Sequence, residues 1–259
     1  MSLAFKYIKY RLSAVNEHGV HSPFVFDLLT NVIYDKHAYY VYEKLAEIRK
    51  TLALSEEELE IEDFGAGSKH FTSNKRKVKD IVKHGISQEK YARLLFRLVN
   101  YFNPGYIIEL GTSIGLTTMY LASSSTKHQI YTIEACKNIS SFSRQLFSTH
   151  RYENIRLINN TFEQALPVLL QELNSVPMLY IDGNHIKQAT LNYFNLALEK
   201  KDNDSVFIFD DIHWSNGMEE AWKTIIEHPE VTLSIDMFYI GLVFFRKEQK
   251  QKEHFVIRY

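Results

Sequence analysis

The sequence predicts an α/β fold in which a mostly parallel sheet carries helices on both faces. From residue 106 onward, short apolar segments alternate with segments of helical periodicity, and such alternation is typical of parallel sheets. After residue 230, two strand candidates are separated only by a turn, which favours an antiparallel hairpin. We therefore expect a seven-stranded sheet whose last two strands pair as a hairpin.

The predicted elements follow from the apolar periodicity of each segment. The strands are expected at residues 106–110, 129–133, 155–158, 178–182, 205–209, 231–236 and 239–245. The helices between the first six strands are expected at residues 115–124, 137–149, 162–173, 187–200 and 215–227. Residues 255–257 are a candidate for one further terminal strand. Because the alternation covers only the later part of the chain, we expect a helical N-terminal appendage at 1–84 and the main domain at 85–259.

Composition limits the classes of function. The 259 residues include 45% hydrophobic and 24% charged residues, and the formal net charge is -1, so nothing favours nucleic acid or a membrane as a partner. The one cysteine, Cys136, excludes an internal disulfide and a zinc site built on cysteines. No apolar run approaches the roughly 20 residues of a membrane helix, and the start of the chain lacks the apolar core of a signal peptide. We expect a cytoplasmic location.

The most informative stretch is the strand–loop–helix segment at residues 106–122. Glu109, Gly111 and Gly115 give it the pattern E-x-G-x-x-x-G. Glycines suit a sharp turn and a ligand close to the backbone, and the start of the next helix directs free N–H groups toward that ligand. A dinucleotide site would instead show G-x-G-x-x-G, and the Glu109 carboxylate would repel a pyrophosphate. The pattern favours a positively charged ligand and disfavours an NAD-dependent oxidoreductase.

This pattern resembles the first motif of the class I S-adenosylmethionine-dependent methyltransferases, which have a Rossmann-like sheet. The resemblance implies S-adenosylmethionine as the cofactor, and it assigns Glu134, at the end of the second predicted strand, to the ribose hydroxyls. Thr161 and Phe162 would flank the adenine, but Thr161 is also suited to cap the following helix. The cofactor-binding residues expected from the resemblance are Glu109, Gly111, Thr112, Ser113, Gly115, Glu134, Thr161 and Phe162.

Three aspartates follow the next two predicted strands. Asp182 ends the fourth strand, and Asp210 and Asp211 end the fifth. Clustered carboxylates repel one another unless a cation holds them, and Mg²⁺ prefers oxygen ligands. Over residues 85–245 this arrangement resembles the metal-dependent O-methyltransferases of the catechol and caffeoyl-CoA type and their sugar-modifying relatives. The resemblance implies that Asp182, Asp210 and Asp211 bind a divalent metal such as Mg²⁺.

His185 lies three residues after Asp182. In the resembling enzymes a lysine or histidine at this offset is the general base, and a neutral imidazole can accept a proton from an acceptor hydroxyl. We therefore assign His185 and Asp182 as catalytic residues. The alternative is that His185 only caps the helix that follows. His213 is a second candidate and would shape the acceptor pocket.

The sequence thus predicts an S-adenosylmethionine-dependent methyltransferase, most simply an O-methyltransferase acting on a small hydroxylated acceptor with the help of a metal. Two alternatives stay open, namely a metal-independent methyltransferase and a non-catalytic module for cofactor binding or assembly. No nucleic-acid or membrane partner is expected, and the chain could form a homodimer. An RNA methyltransferase is disfavoured because no basic domain is added to the core.

Two other segments have an open role. The loop from His18 to Pro23 is a candidate to close over the acceptor, although it could be only a polar connector. Residues 64–68 form a second glycine-containing loop after an acidic stretch. The polar and basic residues that follow this loop provide no apolar helix start, so we expect it to be a flexible loop and not the main ligand site.

Overall fold

A computed structural model describes residues 3–62 and 74–259, and the predicted loop at 64–68 lies outside these residues. The α-helices of the described residues are α1 Leu3–Ser13, α2 Pro23–Leu28, α3 Tyr40–Ala53, α4 Val78–His84, α5 Glu89–Phe102, α6 Leu116–Ala122, α7 Lys137–Thr149, α8 Phe162–Glu172, α9 Lys187–Leu198 and α10 Asn216–Glu227. The strands are β1 Glu58–Glu60, β2 Lys75–Lys77, β3 Tyr106–Leu110, β4 Gln129–Glu134, β5 Ile155–Asn159, β6 Met178–Ile181, β7 Val206–Asp210, β8 Leu233–Asp236, β9 Ile240–Phe244 and β10 Glu253–Val256.

The chain divides into two compact units. Unit A comprises residues 36–169, and unit B comprises residues 1–35 together with 170–259. The helical segments before residue 85 are therefore divided between the two units. The domain boundary expected after residue 84 stays a prediction.

Unit A holds the glycine-rich segment. Its strands β3, β4 and β5 pair in parallel in that order, and β1 and β2 form a separate antiparallel pair. Ile107, Ile108 and Leu110 of β3 are fully buried, as expected for a strand covered on both faces. Helices α3 to α7 contribute to one apolar core in this unit. The core gives the loop between β3 and α6 a rigid support.

Unit B contains the other five strands of the main sheet, in the order β10, β8, β9, β7, β6. Strands β6 and β7 are parallel, whereas β9 runs antiparallel to both β7 and β8. The mostly parallel α/β sheet and the predicted hairpin, β8 with β9, are confirmed. Every residue of β6, β7, β8 and β9 is buried.

The main sheet has eight strands, so the predicted number of seven is wrong. The additional strand is β10, which pairs in parallel with β8. The Glu253 N–H donates to the Thr232 carbonyl, and the Ile257 N–H donates to the Asp236 carbonyl. An edge strand presents unpaired backbone groups, and β10 satisfies those of β8. The sequence contained this strand only as a short apolar candidate at residues 255–257.

The N-terminal residues begin with helical structure, as predicted. Ser22 accepts a hydrogen bond from the Val25 N–H through its side chain, and Pro23 occupies the first turn of α2, where a missing N–H costs nothing. Helix α2 continues into a π-helical turn at Leu29–Ile33. No helix in the described part of the chain is long and apolar enough to span a membrane.

Gly241 of β9 lies against Trp222 of α10, so a substitution of Gly241 tests how closely the sheet and this helix are packed. A Cβ atom at this position would lie 2.6 Å from Cη2 and 2.7 Å from Cζ3 of Trp222, so Gly241→Ala forces the indole to move. We expect a loss of about 2 kcal/mol in the free energy of unfolding, measured by urea denaturation. The matched control is Gly105→Ala, because nothing lies within 4 Å of its added Cβ. Equal stability of the two variants would contradict this packing.

Candidate active site

The loop between β3 and α6 in unit A contains backbone conformations that glycine adopts easily and that other residues adopt only with strain. Gly111, Ser113 and Gly115 have φ angles of 109°, 48° and 85°, all in the region that side chains disfavour. A Cβ on Gly115 would lie 2.5 Å from Cε1 of Phe147. Gly115 is therefore required by the packing of α7 as well as by the turn. The Ser143 hydroxyl donates to the Ser113 carbonyl at 2.6 Å, which supports the strained residue.

Glu109 is wholly buried at the end of β3. Its Oε2 atom accepts hydrogen bonds from the hydroxyls of Thr118 and Thr132, each at 2.6 Å. A hydroxyl has one hydrogen, so once Thr132 donates to Glu109 it must accept from Thr112, whose Oγ1 lies 2.6 Å away. This chain of bonds joins β3, β4, α6 and the loop. The predicted role of Glu109 toward a cofactor stays a prediction.

Glu134 lies at the end of β4 and is half-buried. Its Oε2 accepts from the Ser113 N–H at 3.0 Å, and its Oε1 accepts from the Cys136 N–H at 2.9 Å. These bonds orient the carboxylate and attach it to the glycine loop. Each carboxylate oxygen has further acceptor capacity, so Glu134 is able to bind a pair of hydroxyls. The expected role of Glu134 at a ribose stays a prediction.

Thr161 and Phe162 lie at the start of α8 and are both half-buried. The Thr161 carbonyl accepts from the Ala165 N–H at 2.9 Å, which is the backbone position of a helix cap. The Thr161 N–H donates to Asn160 Oδ1. The proposed contacts of both residues with adenine stay predictions.

Unit B brings two of the three predicted aspartates together through a tyrosine. The hydroxyl oxygen of Tyr180 lies 2.9 Å from Asp182 Oδ2 and 3.2 Å from Asp210 Oδ2, so its one hydrogen is shared between the two carboxylates. Ile181 of β6 pairs with Phe209 of β7, so continuing the register by one residue sets Asp182 beside Asp210. Tyr180 is fully buried, and it holds the two carboxylates in a fixed relation.

Asp211 is arranged differently. Its φ angle is 54°, and its N–H donates to Asp210 Oδ1 at 3.0 Å. The pKa of Tyr239 is raised, first by the burial of Tyr239 and second by the negative charge of Asp211. Among the described residues, no group of three or more His, Cys, Asp or Glu side chains is arranged to hold a metal ion. The predicted set of Asp182, Asp210 and Asp211 is therefore not assembled as a three-ligand site in this structure.

His185 lies beside Asp182. Its Nε2 is 3.8 Å from Asp182 Oδ1, and both side chains are partly exposed. The helix cap before α9 is Ile186, with no side-chain cap bond, so His185 is not the cap residue. The structure therefore brings His185 close to Asp182, with Tyr180 bound to the other oxygen of the same carboxylate, and the catalytic roles of both residues stay predictions.

His213 has a different environment, because both ring nitrogens contact carboxylates. Nε2 lies 2.8 Å from Asp236 Oδ2, and Nδ1 lies 3.1 Å from Glu219 Oε1. Glu219 also binds the Lys6 ammonium of α1 at 2.9 Å. Burial lowers the pKa of His213, but the hydrogen bonds and charges of Asp236 and then Glu219 outweigh burial, and the pKa is raised. His213 therefore joins α1 to the sheet of unit B, and no acceptor role is needed to explain it.

Sequence reasoning missed two kinds of residue. Thr118 and Thr132 appeared to be ordinary helix and strand positions, and nothing in their spacing from Glu109 marked them as its donors. Tyr180 did carry a signal, because residues two apart on a strand point to the same side and Tyr180 stands two before Asp182.

A parallel strand, a glycine loop and a helix, with an acidic residue at the end of the next strand, form the arrangement expected of a class I methyltransferase. A family model described as a methyltransferase domain matches residues 108–212, which include the glycine loop, Glu134 and the aspartates. The resemblance predicted from the sequence is confirmed at this level. No curated protein matches the sequence.

Solved structures of methyltransferases have a similar fold. The methyltransferase PaMTH1 of Podospora anserina, bound to S-adenosylhomocysteine, is 14% identical with a TM-score of 0.60, covering 88% of this chain and 97% of its own. An O-methyltransferase of Bacillus cereus, also in complex with S-adenosylhomocysteine, is 17% identical with a TM-score of 0.54, covering 91% and 99%. TomG of Streptomyces achromogenes, an O-methyltransferase of tomaymycin synthesis in complex with S-adenosylmethionine, is 16% identical with a TM-score of 0.58, covering 86% and 95%.

The raised pKa of His213 predicts a pH-dependent contribution to stability. A histidine whose pKa is higher in the folded state stabilises the fold fully below its ordinary pKa of about 6.5, and this contribution is lost as the pH rises through the raised value. His213→Gln should therefore cost about 2 kcal/mol in mildly acid solution and less in alkaline solution, as measured by urea denaturation across pH. His18→Gln is the control, since His18 is 83% exposed. A cost for His213→Gln that does not change with pH would contradict the network.

Proposed function

We propose that this protein is an S-adenosylmethionine-dependent O-methyltransferase that acts on a small hydroxylated acceptor. The observation that carries the proposal is the Glu134 carboxylate, which is oriented by N–H groups of Ser113 and Cys136 beside a loop of left-handed residues. A ribose with two vicinal hydroxyls suits this carboxylate. The similar folds of structures in complex with S-adenosylhomocysteine or S-adenosylmethionine support the choice of cofactor.

Unit A has the features needed to bind the cofactor. S-adenosylmethionine supplies a sulfonium-bound methyl group that an oxygen nucleophile can accept. Glu134 would accept the ribose hydroxyls, and Gly111, which has no side chain, would let the ligand approach the backbone closely. The hydroxyl of Thr112, whose hydrogen is committed to Thr132, is able only to accept a hydrogen bond from the ligand.

Unit B supplies the proposed base. His185 Nε2 would accept the proton of the acceptor hydroxyl while the oxygen forms its bond to the methyl carbon and the bond from that carbon to sulfur breaks. The products would be the methyl ether, S-adenosylhomocysteine and a protonated His185. Asp182 Oδ1, 3.8 Å from Nε2, would face the imidazolium that results. Tyr180 keeps Asp182 in place by donating to its other oxygen.

Dependence on a divalent metal stays a prediction. Asp182 and Asp210 are the two carboxylates that share the Tyr180 hydroxyl, and a cation would have to bind between oxygens that already accept hydrogen bonds. We therefore derive no step through a metal. Turnover measured with added Mg²⁺ and with a chelator separates the two forms of the proposal, because turnover that persists in chelator contradicts the metal-assisted form.

The cofactor is tested by calorimetric titration with S-adenosylhomocysteine. We expect micromolar binding to the wild type and about a tenfold to hundredfold loss of affinity in Glu134→Ala, because a charged acceptor of two hydrogen bonds is removed. Glu153→Ala, at an exposed position of the same unit, is the matched control. Absence of binding to the wild type would refute the methyltransferase proposal. Unchanged affinity in Glu134→Ala would remove Glu134 from the ribose site.

The base is tested by methyl transfer to a panel of hydroxylated acceptors. Asp182→Asn keeps the shape of the side chain but removes its charge, so we expect at least about a hundredfold lower kcat and unchanged affinity for S-adenosylhomocysteine. Asp204→Asn, at an exposed position, should behave as the wild type. Joint loss of turnover and cofactor affinity in Asp182→Asn would identify a structural role. Binding of the cofactor without transfer to any acceptor would favour a non-catalytic module.

A further inference from the structure

Helix α1 has one face packed on unit B and an apolar face that is largely exposed. Its packed face carries Tyr10, whose hydroxyl donates to the Ile257 carbonyl at 2.6 Å, and Lys6, whose ammonium binds Glu219 and the His213 carbonyl. The Tyr7 and Tyr10 rings pack against Phe238. These directional contacts fix the rotation of the helix, so the opposite face cannot turn inward without breaking them.

The opposite face carries large apolar side chains in contact with solvent. Phe5 is 56%, Ile8 57% and Leu12 84% exposed. With 3.6 residues per turn these three side chains lie within about 60° of one another around the helix. A solvent-facing helix surface is normally polar, and a continuous exposed apolar patch marks an interaction site.

The charged residues that α1 itself carries beside this patch are basic. Exposed Lys9 and Arg11 lie on opposite sides of the apolar arc, and the chain before Glu17 contains no Asp or Glu. An apolar arc bordered by basic residues is the pattern of a helix that lies in the surface of an anionic membrane. Net charge close to zero over the whole chain conceals this local arrangement, which is why composition led us to expect no membrane partner.

A second copy of the chain fits the same face less well. A stable interface requires roughly 800 Å² from each partner, and three side chains on one short helix fall far below that area. Two copies of α1 would also bring Lys9 and Arg11 toward like charges. A lipid surface has neither difficulty, because it has no fixed area and its anionic headgroups complement the basic residues.

We propose that α1 attaches the protein peripherally to anionic membranes, with Phe5, Ile8 and Leu12 entering the headgroup region and Lys9 and Arg11 contacting lipid phosphates. The helix is already folded and fixed on unit B, so binding requires no folding step. The proposal is independent of the methyl-transfer chemistry.

The test is co-sedimentation of the full-length protein with vesicles of equal parts phosphatidylcholine and phosphatidylglycerol. We expect binding that weakens at high salt and is absent with phosphatidylcholine alone. Leu12→Ser should lower the partition coefficient about tenfold, and the pair Lys9→Glu with Arg11→Glu should abolish binding. These positions are exposed, so the variants should keep the wild-type melting temperature.

Two control variants distinguish the contribution of the exposed face of α1 from general effects of removing a leucine or reversing a charge. Leu54→Ser removes a leucine that is 74% exposed directly after α3, and Lys127→Glu reverses an exposed charge outside α1. Both variants should bind as the wild type does. No binding of the wild type to the anionic vesicles, or equal binding by Leu12→Ser, would overturn the proposal. A dimer in sedimentation velocity that Leu12→Ser dissociates, without vesicle binding, would assign the face to a second copy instead.

Discussion

The buried carboxylate of Glu109 is the constraint on which the glycine loop depends. A wholly buried carboxylate is costly unless hydrogen bonds compensate it, and here the hydroxyls of Thr118 and Thr132 both donate to one oxygen. Those donors come from α6 and β4, so satisfying one charge fixes three elements of unit A together. Thr112 extends the same chain of bonds into the loop. The strained backbone that follows is thereby held from both its strand and its helix.

Glu134 depends on that arrangement. Its carboxylate is oriented by the N–H of Ser113, a residue with a left-handed backbone that the Ser143 hydroxyl supports. The loop conformation and the orientation of Glu134 are therefore one structure and not two independent features. In unit B, Tyr180 has a similar role, because its buried hydroxyl orients Asp182 and Asp210 together. Each unit thus uses a buried polar group, Glu109 in unit A and Tyr180 in unit B, to hold a carboxylate in a fixed orientation.

The sequence predicted most of the fold because its strands are short apolar runs bounded by glycine, proline and helical periodicity. The terminal strand β10 was uncertain because only two of its four residues, Phe255 and Val256, are apolar. The strand is ordered by pairing with β8, which no local pattern describes. The places of Glu134 and Asp182 after their strands could be predicted, because each follows a short apolar run. The placement of Asp211 could not be predicted from the sequence, because it depends on a left-handed backbone conformation at a residue that is not glycine. The network of His213 was also hidden, because Lys6, Glu219 and Asp236 are far apart in sequence and meet only after folding.

The discontinuity of unit B has a consequence for synthesis. Unit A is one continuous segment, so a nascent chain holds all of it once residue 169 has left the ribosome. The first 35 residues must wait, because the Val15 N–H and carbonyl bind Val256 and Arg258 and Lys6 binds Glu219. Until those later residues have been synthesised, both faces of α1 are exposed. The face that packs in the folded protein is then as accessible to chaperones or other nascent chains as the face that stays exposed. The order in which the chain emerges therefore makes the first helix the last to be secured.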